Sequence, residues 1–175
     1  MAKISNLFAC LLLCLSAPVA SQNGPQSGAH AELSQADIIG RWRTPGRSVP
    51  IDEVSLRFAE SVGDYGADGS MRAECFVTLS GLVDGAEIPE ALTQLRVELT
   101  GSWRLEGRTL THRIARATVT AIRPEMRDFA AMIETMYREI PTVTADIEKW
   151  DATTVRMRDK STGEVFEMVR DGRLN

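Results

Sequence analysis

The chain has 175 residues, of which 43% are hydrophobic, and its 20 basic and 24 acidic side chains give a formal net charge of -4. This length suits one domain with a real hydrophobic core. The mild acidity argues against a protein that binds nucleic acid through a basic surface.

Residues 1–21 are typical of a secretory signal peptide. Lys3 is followed by an uncharged run whose apolar centre, residues 7–15, is shorter than the roughly 20 residues that span a bilayer. The small residues Val19 and Ser21 favour cleavage after Ser21. We therefore expect an exported protein, in the periplasm or outside the cell, with no membrane span after cleavage.

Residues 22–33 are expected to be a flexible leader, because most of them are Gly, Gln, Ser and other residues without apolar periodicity. Residues 34–175 form the folded domain. Of the three cysteines, only Cys75 lies outside the signal peptide. A secreted chain with one cysteine has no disulfide framework.

Alternating apolar and polar residues predict a first β-hairpin. One strand runs from about Val54 to Tyr65, with Gly63 as a β-bulge. The Asp-Gly pair within residues 67–70 favours a type I′ turn. The partner strand places apolar residues on one face, with the outward Phe76 as its exception: Met71, Ala73, Cys75, Val77 and Leu79.

The longest alternation begins at Leu95. Odd positions from Leu95 to Leu105 are apolar or small and even positions are polar, which indicates a half-buried strand. Residues 106–108 supply a turn, and residues 109–120 continue as a partner strand rich in threonine and β-branched residues. Gly101 permits a bend within the first strand.

One amphipathic helix is predicted from Pro124 to Ile140, where apolar residues recur at spacings of three and four. Pro124 suits the first helical turn, and Pro141 ends the helix. We expect the apolar face to cover an end or flank of the remaining structure. A movable lid and a partner-binding helix are the alternatives.

Three further strands are predicted at residues 142–150, 153–158 and 164–170, the last two joined by a turn at residues 159–163. The chain then has about eight strands, mostly in hairpins, and one helix inserted between strands. This pattern predicts a mainly β fold, an antiparallel up-and-down β-barrel, because closure removes exposed strand edges.

Short motifs along the chain have the order Gly-x-Trp, Asp-Gly hairpin, second Gly-x-Trp and closing hairpin. They are Gly40 and Trp42 after a helical turn, Asp68 and Gly69, Gly101 and Trp103 with Gly107 and Leu110, and Gly163 with Arg170. In these motifs the sequence resembles the lipocalin-like, calycin-type domains of exported bacterial proteins. The resemblance implies that Gly40 and Trp42 close one end of the barrel and that Arg170 packs across the tryptophan. A guanidinium over an indole would add about 0.5 to 2 kcal/mol.

Alternation within the predicted strands supplies a set of candidate interior side chains, and hence of candidate ligand contacts. They are Leu56, Phe58, Met71, Val77, Leu95, Val97, Leu99, His112, Ile114, Phe166 and Met168.

His112 and Cys75 are the reactive side chains of the predicted domain. His112 shares the face of Leu110 and Ile114, so it could orient a ligand, act as a base, or simply bond to a neighbouring strand. Cys75 lies among apolar residues and is predicted to be an inert buried thiol, and a Cys75–His112 dyad has no motif behind it. One histidine and one cysteine do not make a zinc site, so we predict no metal site and no cofactor.

Three functions fit the sequence. The first is an exported lipocalin-like barrel that binds an apolar or amphiphilic small molecule or lipid between its strands and helix. The second is a filled barrel that serves as a protein-interaction or envelope-assembly module. The third is an enzyme that uses His112, which the absence of phosphate-loop and Gly-x-Ser-x-Gly motifs disfavours. The sequence leaves the oligomeric state open.

Overall fold

The computed structural model describes residues 32–51, 54–83, 86–87, 89 and 93–172. Within these residues the elements follow one another as α1 (Gln35–Ile38), β1 (Gly40–Thr44), β2 (Arg47–Ile51), β3 (Val54–Phe58), β4 (Ser61–Tyr65), β5 (Ser70–Val83), β6 (Ala86–Glu87), β7 (Leu95–Glu106), β8 (Thr109–Ala121), a 3-10 turn (Pro124–Met126), α2 (Arg127–Glu139), β9 (Thr142–Trp150), β10 (Thr154–Asp159) and β11 (Val165–Arg170). The signal peptide predicted for residues 1–21 and the leader up to residue 31 lie outside the described residues. Leu33, within the predicted leader, is 9% exposed and packs with the core.

Eight strands close into an antiparallel barrel. Their order is β5, β4, β1, β11, β10, β9, β8 and β7, and pairing of β7 with β5 completes the ring. Barrel strands that follow one another in the sequence are neighbours in the barrel. The exception is the pair β2 and β3, which lies between β1 and β4 in the sequence and extends their hairpin. The prediction of a mainly β, up-and-down barrel with one helix inserted between strands is therefore confirmed.

The predicted strand Val54–Tyr65 is two strands, β3 and β4. They are separated at Ala59 and Glu60, where the N–H of Ala59 donates to the carbonyl of Phe76 at 2.8 Å. The neighbouring strand is divided into β1 and β2 at the same level, because Pro45 has no N–H to donate to the partner strand. The next residue, Gly46, approaches the carbonyl of Phe58 closely. The prediction of a β-bulge at Gly63 is wrong, because Gly63 pairs regularly with both neighbouring strands.

The Asp-Gly hairpin joins β4 to β5 through a longer loop than a two-residue type I′ turn. The N–H of Gly66 donates to the carbonyl of Ser70 at 2.8 Å, and the N–H of Gly69 donates to the carbonyl of Gly66 at 3.1 Å. Gly69 has a φ of +79°, a conformation that glycine adopts without strain. The loop is thus closed between Gly66 and Ser70.

A β-bulge bends the long hairpin of β7 and β8. Thr100 pairs with Arg116, but the next residue, Gly101, pairs with Ile114, which leaves Ala115 as the extra residue. A side chain at Gly101 would place its Cβ 2.0 Å from the carbonyl oxygen of Arg113. Glycine is therefore the residue that lets the two backbones meet at the bend.

Helix α2 lies against the part of β8 that β9 does not reach. Pairing between β8 and β9 ends at Arg113, and α2 packs along the remainder of β8. Glu134 Oε2 accepts a hydrogen bond from the N–H of Val119 at 3.4 Å. The buried face of the helix is formed by Ala130, Ile133, Met136 and Tyr137, which belong to the barrel core. The helix therefore covers a strand edge that would otherwise be open.

Trp42 closes the barrel at the end where α1 enters. Its side chain has no exposed surface, and its Nε1–H donates to the carbonyl of Ile38 at 2.7 Å. Arg170 is its partner in the β1–β11 register, and the guanidinium carbon of Arg170 lies 4.3 Å from the centroid of the indole. First and last strands of the barrel thus meet at this pair of side chains.

Arg170 also joins segments that are far apart in the sequence. Its Nη2 and Nη1 donate to the carbonyls of Asp37 and Ile39, and its Nε donates to the carbonyl of Ala152, each at 2.8 Å. A Cβ at Gly40 would lie 2.8 Å from Arg170 Nη1, and Gly40 has a φ of +127°. The Gly-x-Trp motif therefore needs its glycine both for backbone conformation and for room beside the guanidinium.

Replacing Trp42 tests the importance of this closure. We expect Trp42→Ala to reduce the free energy of unfolding by about 3 to 5 kcal/mol, because a fully buried aromatic ring leaves a cavity. Trp150→Ala is the matched control, since Trp150 is only partly buried and its loss should cost less. Urea unfolding followed by circular dichroism measures both variants. A cost below about 1 kcal/mol for Trp42→Ala would contradict the role given to this residue.

Candidate functional site

The interior of the barrel contains a cavity of about 80 Å³. Every barrel strand except β10 contributes to its wall, and Tyr137 contributes from α2. Among the candidate interior residues, those that line the cavity are Met71, Val97, Leu99, His112, Ile114, Phe166 and Met168. The remaining candidates are buried in the core away from the cavity: Leu56, Phe58, Val77 and Leu95.

His112 brings a polar group to this largely apolar wall. It lies in β8 between Trp103 of β7 and Val143 of β9 in the strand register. The residue as a whole is partly buried, but its Nε2 atom is fully buried and has no hydrogen-bond partner among the described residues. Burial lowers the pKa of His112 to about 4, so the imidazole is neutral at pH 7.

Tyr65 is a second polar side chain in the cavity wall. Its ring centroid lies 5.5 Å from that of His112 and 5.8 Å from that of Trp103, which it meets edge to face. Its hydroxyl donates to Sδ of Met168 at 3.6 Å. Burial raises the pKa of Tyr65 above its ordinary value, so the hydroxyl keeps its proton.

Sequence alternation did not identify Tyr65 as an interior residue. Leu56 and Phe58 are buried at even positions of β3, whereas Ser61, Gly63 and Tyr65 of β4 line the cavity at odd positions. The break between the two strands reverses which positions point inward. The contribution of Tyr137 from α2 was also missed, since it depends on where the helix docks.

Trp103 supports Tyr65 from the second Gly-x-Trp motif. Its Nε1–H donates to the carbonyl of Gly66 at 3.0 Å, and its backbone N–H donates to the carbonyl of Gly69 at 2.8 Å. Trp103 therefore holds the loop that follows Tyr65. The two similar motifs have different functions in the fold, because Trp42 closes the barrel end and Trp103 fixes a hairpin loop.

Cys75 is buried and also lines the cavity. Within the part of the chain that the structure describes, no group of three or more His, Cys, Asp and Glu side chains is arranged to hold a metal ion. No helix in those same residues is long and apolar enough to span a bilayer.

The lowered pKa of His112 predicts that the stability of the fold depends on pH. An unfolded chain binds a proton at His112 below its ordinary pKa of 6.5, but the folded chain does so only below about 4. The contribution of His112 to the free energy of unfolding is therefore greatest above pH 6.5, and it is lost as the pH falls from 6.5 towards 4. We expect His112 to account for a loss of about 2 kcal/mol between pH 7 and pH 5.

The variant His112→Leu should lack this component, so its free energy of unfolding should change less over the same range. Carboxylates with lowered pKa, such as Asp68 and Asp151, contribute mainly below this range because their ordinary pKa is 3.8. Urea titrations at pH 7, 6 and 5 make the comparison. Equal pH dependence in the two proteins would show that folding does not lower the pKa of His112.

Two solved structures are similar to this chain. A lipocalin-like protein from Bacteroides uniformis ATCC 8492 is 16% identical, with 77% of this chain and 99% of that chain covered and a TM-score of 0.41. An uncharacterized protein from Bacteroides eggerthii DSM 20697 is 10% identical, with 76% and 98% covered and a TM-score of 0.37. No protein-family model and no curated protein matches the sequence. By its own geometry, a closed antiparallel barrel with Arg170 across the buried Trp42, the chain has a lipocalin-like fold.

Proposed function

We propose that the protein is an exported barrel that binds a small apolar or amphiphilic molecule in its interior. The observation that supports this most directly is the cavity of about 80 Å³ lined by His112, whose buried Nε2 has no hydrogen-bond partner in the described part of the chain. Small-molecule sites are commonly apolar cavities with a few polar groups that orient the ligand. The proposal concerns binding and assigns no reaction to His112 or Cys75.

Cavity volume restricts the size of the ligand. Typical ligand pockets have volumes of roughly 300 to 1,000 Å³, and an engineered cavity of about 150 Å³ accepts benzene. A cavity of about 80 Å³ therefore suits a molecule with few non-hydrogen atoms. A longer molecule, such as a fatty acid, would require α2 to move with Tyr137, the helix residue in the cavity wall. Met71 and Met168 could adapt to a modest enlargement because methionine side chains are flexible.

Xenon is a suitable first probe because it is apolar and small enough to enter dry cavities. We expect NMR of the protein under xenon pressure to show saturable shifts at the methyl groups of Met71 and Met168. Ala73→Leu should abolish them, because Ala73 lines the cavity and a larger side chain fills it. Ala131→Leu is the matched control, since Ala131 is exposed on α2.

Mass spectrometry of the protein purified under native conditions would look for a natural ligand that remains bound. If the protein takes up no xenon, the binding proposal is wrong. The second function predicted from the sequence, a filled barrel that acts through its surface, would then be the better description.

Export is supported by the signal pattern of residues 1–21. When the whole chain is expressed in a bacterial host with a periplasm, we expect a mature protein that begins at Gln22. Intact-mass measurement of the periplasmic and cytoplasmic fractions checks this. Deletion of residues 2–21 should keep the protein in the cytoplasm. Recovery of the whole, uncleaved chain from the cytoplasm would contradict export by this segment.

A further inference from the structure

Two polar side chains in the cavity wall have incomplete or weak hydrogen bonding. Nε2 of His112 is buried and has no hydrogen-bond partner among the described residues. The hydroxyl of Tyr65 donates to the sulfur of Met168, which is a weak acceptor. The rings of His112 and Tyr65 are 5.5 Å apart, so both polar groups belong to the same region of the wall.

Such an arrangement is costly unless a ligand or water completes it. A buried polar atom without a partner loses its hydrogen bonds to water and gains nothing in return. The buried Nε atoms of Arg41 and Arg43 form ion pairs with Asp171, at 3.4 and 3.1 Å, and neither arginine lines the cavity. Among the described residues that line the cavity, His112 therefore carries the buried side-chain nitrogen that has no hydrogen-bond partner.

The cavity wall also lacks a positive charge. Its described lining includes no lysine or arginine, and its one acidic residue, Glu74, accepts a hydrogen bond from Nε of Arg96 at 2.9 Å. His112 is neutral at pH 7 because burial lowers its pKa to about 4. A carboxylate inside the barrel would have no counter-charge, and burial of an unpaired charge costs far more than burial of a neutral polar group.

We propose that the cavity selects a small uncharged molecule with one N–H or O–H group, which donates a hydrogen bond to a bare Nε2 of His112, and that it discriminates against carboxylates. This inference rests on the proposed function and names the class of ligand for the same cavity. A neutral imidazole nitrogen accepts a hydrogen bond when it is bare and donates one when it is protonated. A ligand N–H or O–H can therefore pair with the bare nitrogen while the rest of the ligand contacts the apolar wall.

Pyrrole and thiophene form a pair of probes, since both are small five-membered aromatic rings and pyrrole alone carries an N–H. We expect pyrrole to bind the native chain about fivefold to tenfold more tightly than thiophene, the ratio that one additional hydrogen bond gives. Acetate, a carboxylate that is smaller than either ring, should not bind. NMR titration of the cavity methyl groups measures all three affinities.

The variant His112→Leu should bind the two rings equally, because its side chain offers no hydrogen bond. Ile114→Val is the matched control, because Ile114 lines the same cavity without a polar atom and its replacement should preserve the preference for pyrrole. Should His112→Leu fail to fold, the nitrogen-15 signal of His112 Nε2 in the native chain gives the same information. It should shift with pyrrole and stay in place with thiophene.

The possible outcomes separate this inference from the function on which it rests. Equal affinity of the native chain for pyrrole and thiophene, or saturable binding of acetate in the cavity, would overturn the inference and leave the binding proposal intact. Uptake of xenon without binding of either ring would also overturn the inference. Absence of xenon uptake would overturn the proposed function itself.

Discussion

The stacking of Arg170 on Trp42 is the interaction on which the barrel depends. It lies where the first and last strands pair, so the same contact closes the ring of strands and seals one end of its interior. The guanidinium also donates to carbonyls of α1 and of the loop before β10. An arginine suits this position because its planar group can stack on an aromatic face while its N–H groups bind in several directions.

Irregularities in the strands decide which side chains reach the interior. The break at Ala59 and Glu60 reverses the inward positions between β3 and β4, and this reversal brings Tyr65 to the cavity. The bulge at Ala115 likewise reverses the inward positions within β8: His112 is an inward residue before the bulge, and Val119 is one after it. The break therefore places Tyr65 in the cavity wall, because a shift of one residue exchanges the two faces of a strand. His112 lies before the bulge and reaches the wall by regular alternation with Leu110 and Ile114.

The wall around the cavity is mainly apolar, and this makes its few polar atoms significant. In a barrel that only filled its own interior, a histidine at this position would be expected to bond to a neighbouring group. Instead, Nε2 of His112 is buried without a hydrogen-bond partner among the described residues, and His112 lines a cavity that a small molecule could occupy. Helix α2 completes the enclosure from the side, where it covers the part of β8 beyond β9 and contributes Tyr137 to the wall.

The sequence by itself determined the class of fold, because alternation such as that from Leu95 to Leu105, the spacing of apolar residues after Pro124 and the turn glycines are local signals. It also pointed to Trp42, Arg170 and His112. Only the tertiary structure decided the extra residue Ala115 and the break in Val54–Tyr65, and the break decided the place of Tyr65 in the cavity. These features arise from contacts with adjoining strands, such as the close approach of Gly101 to Arg113, and the volume left inside the barrel depends on how all the inward side chains pack together.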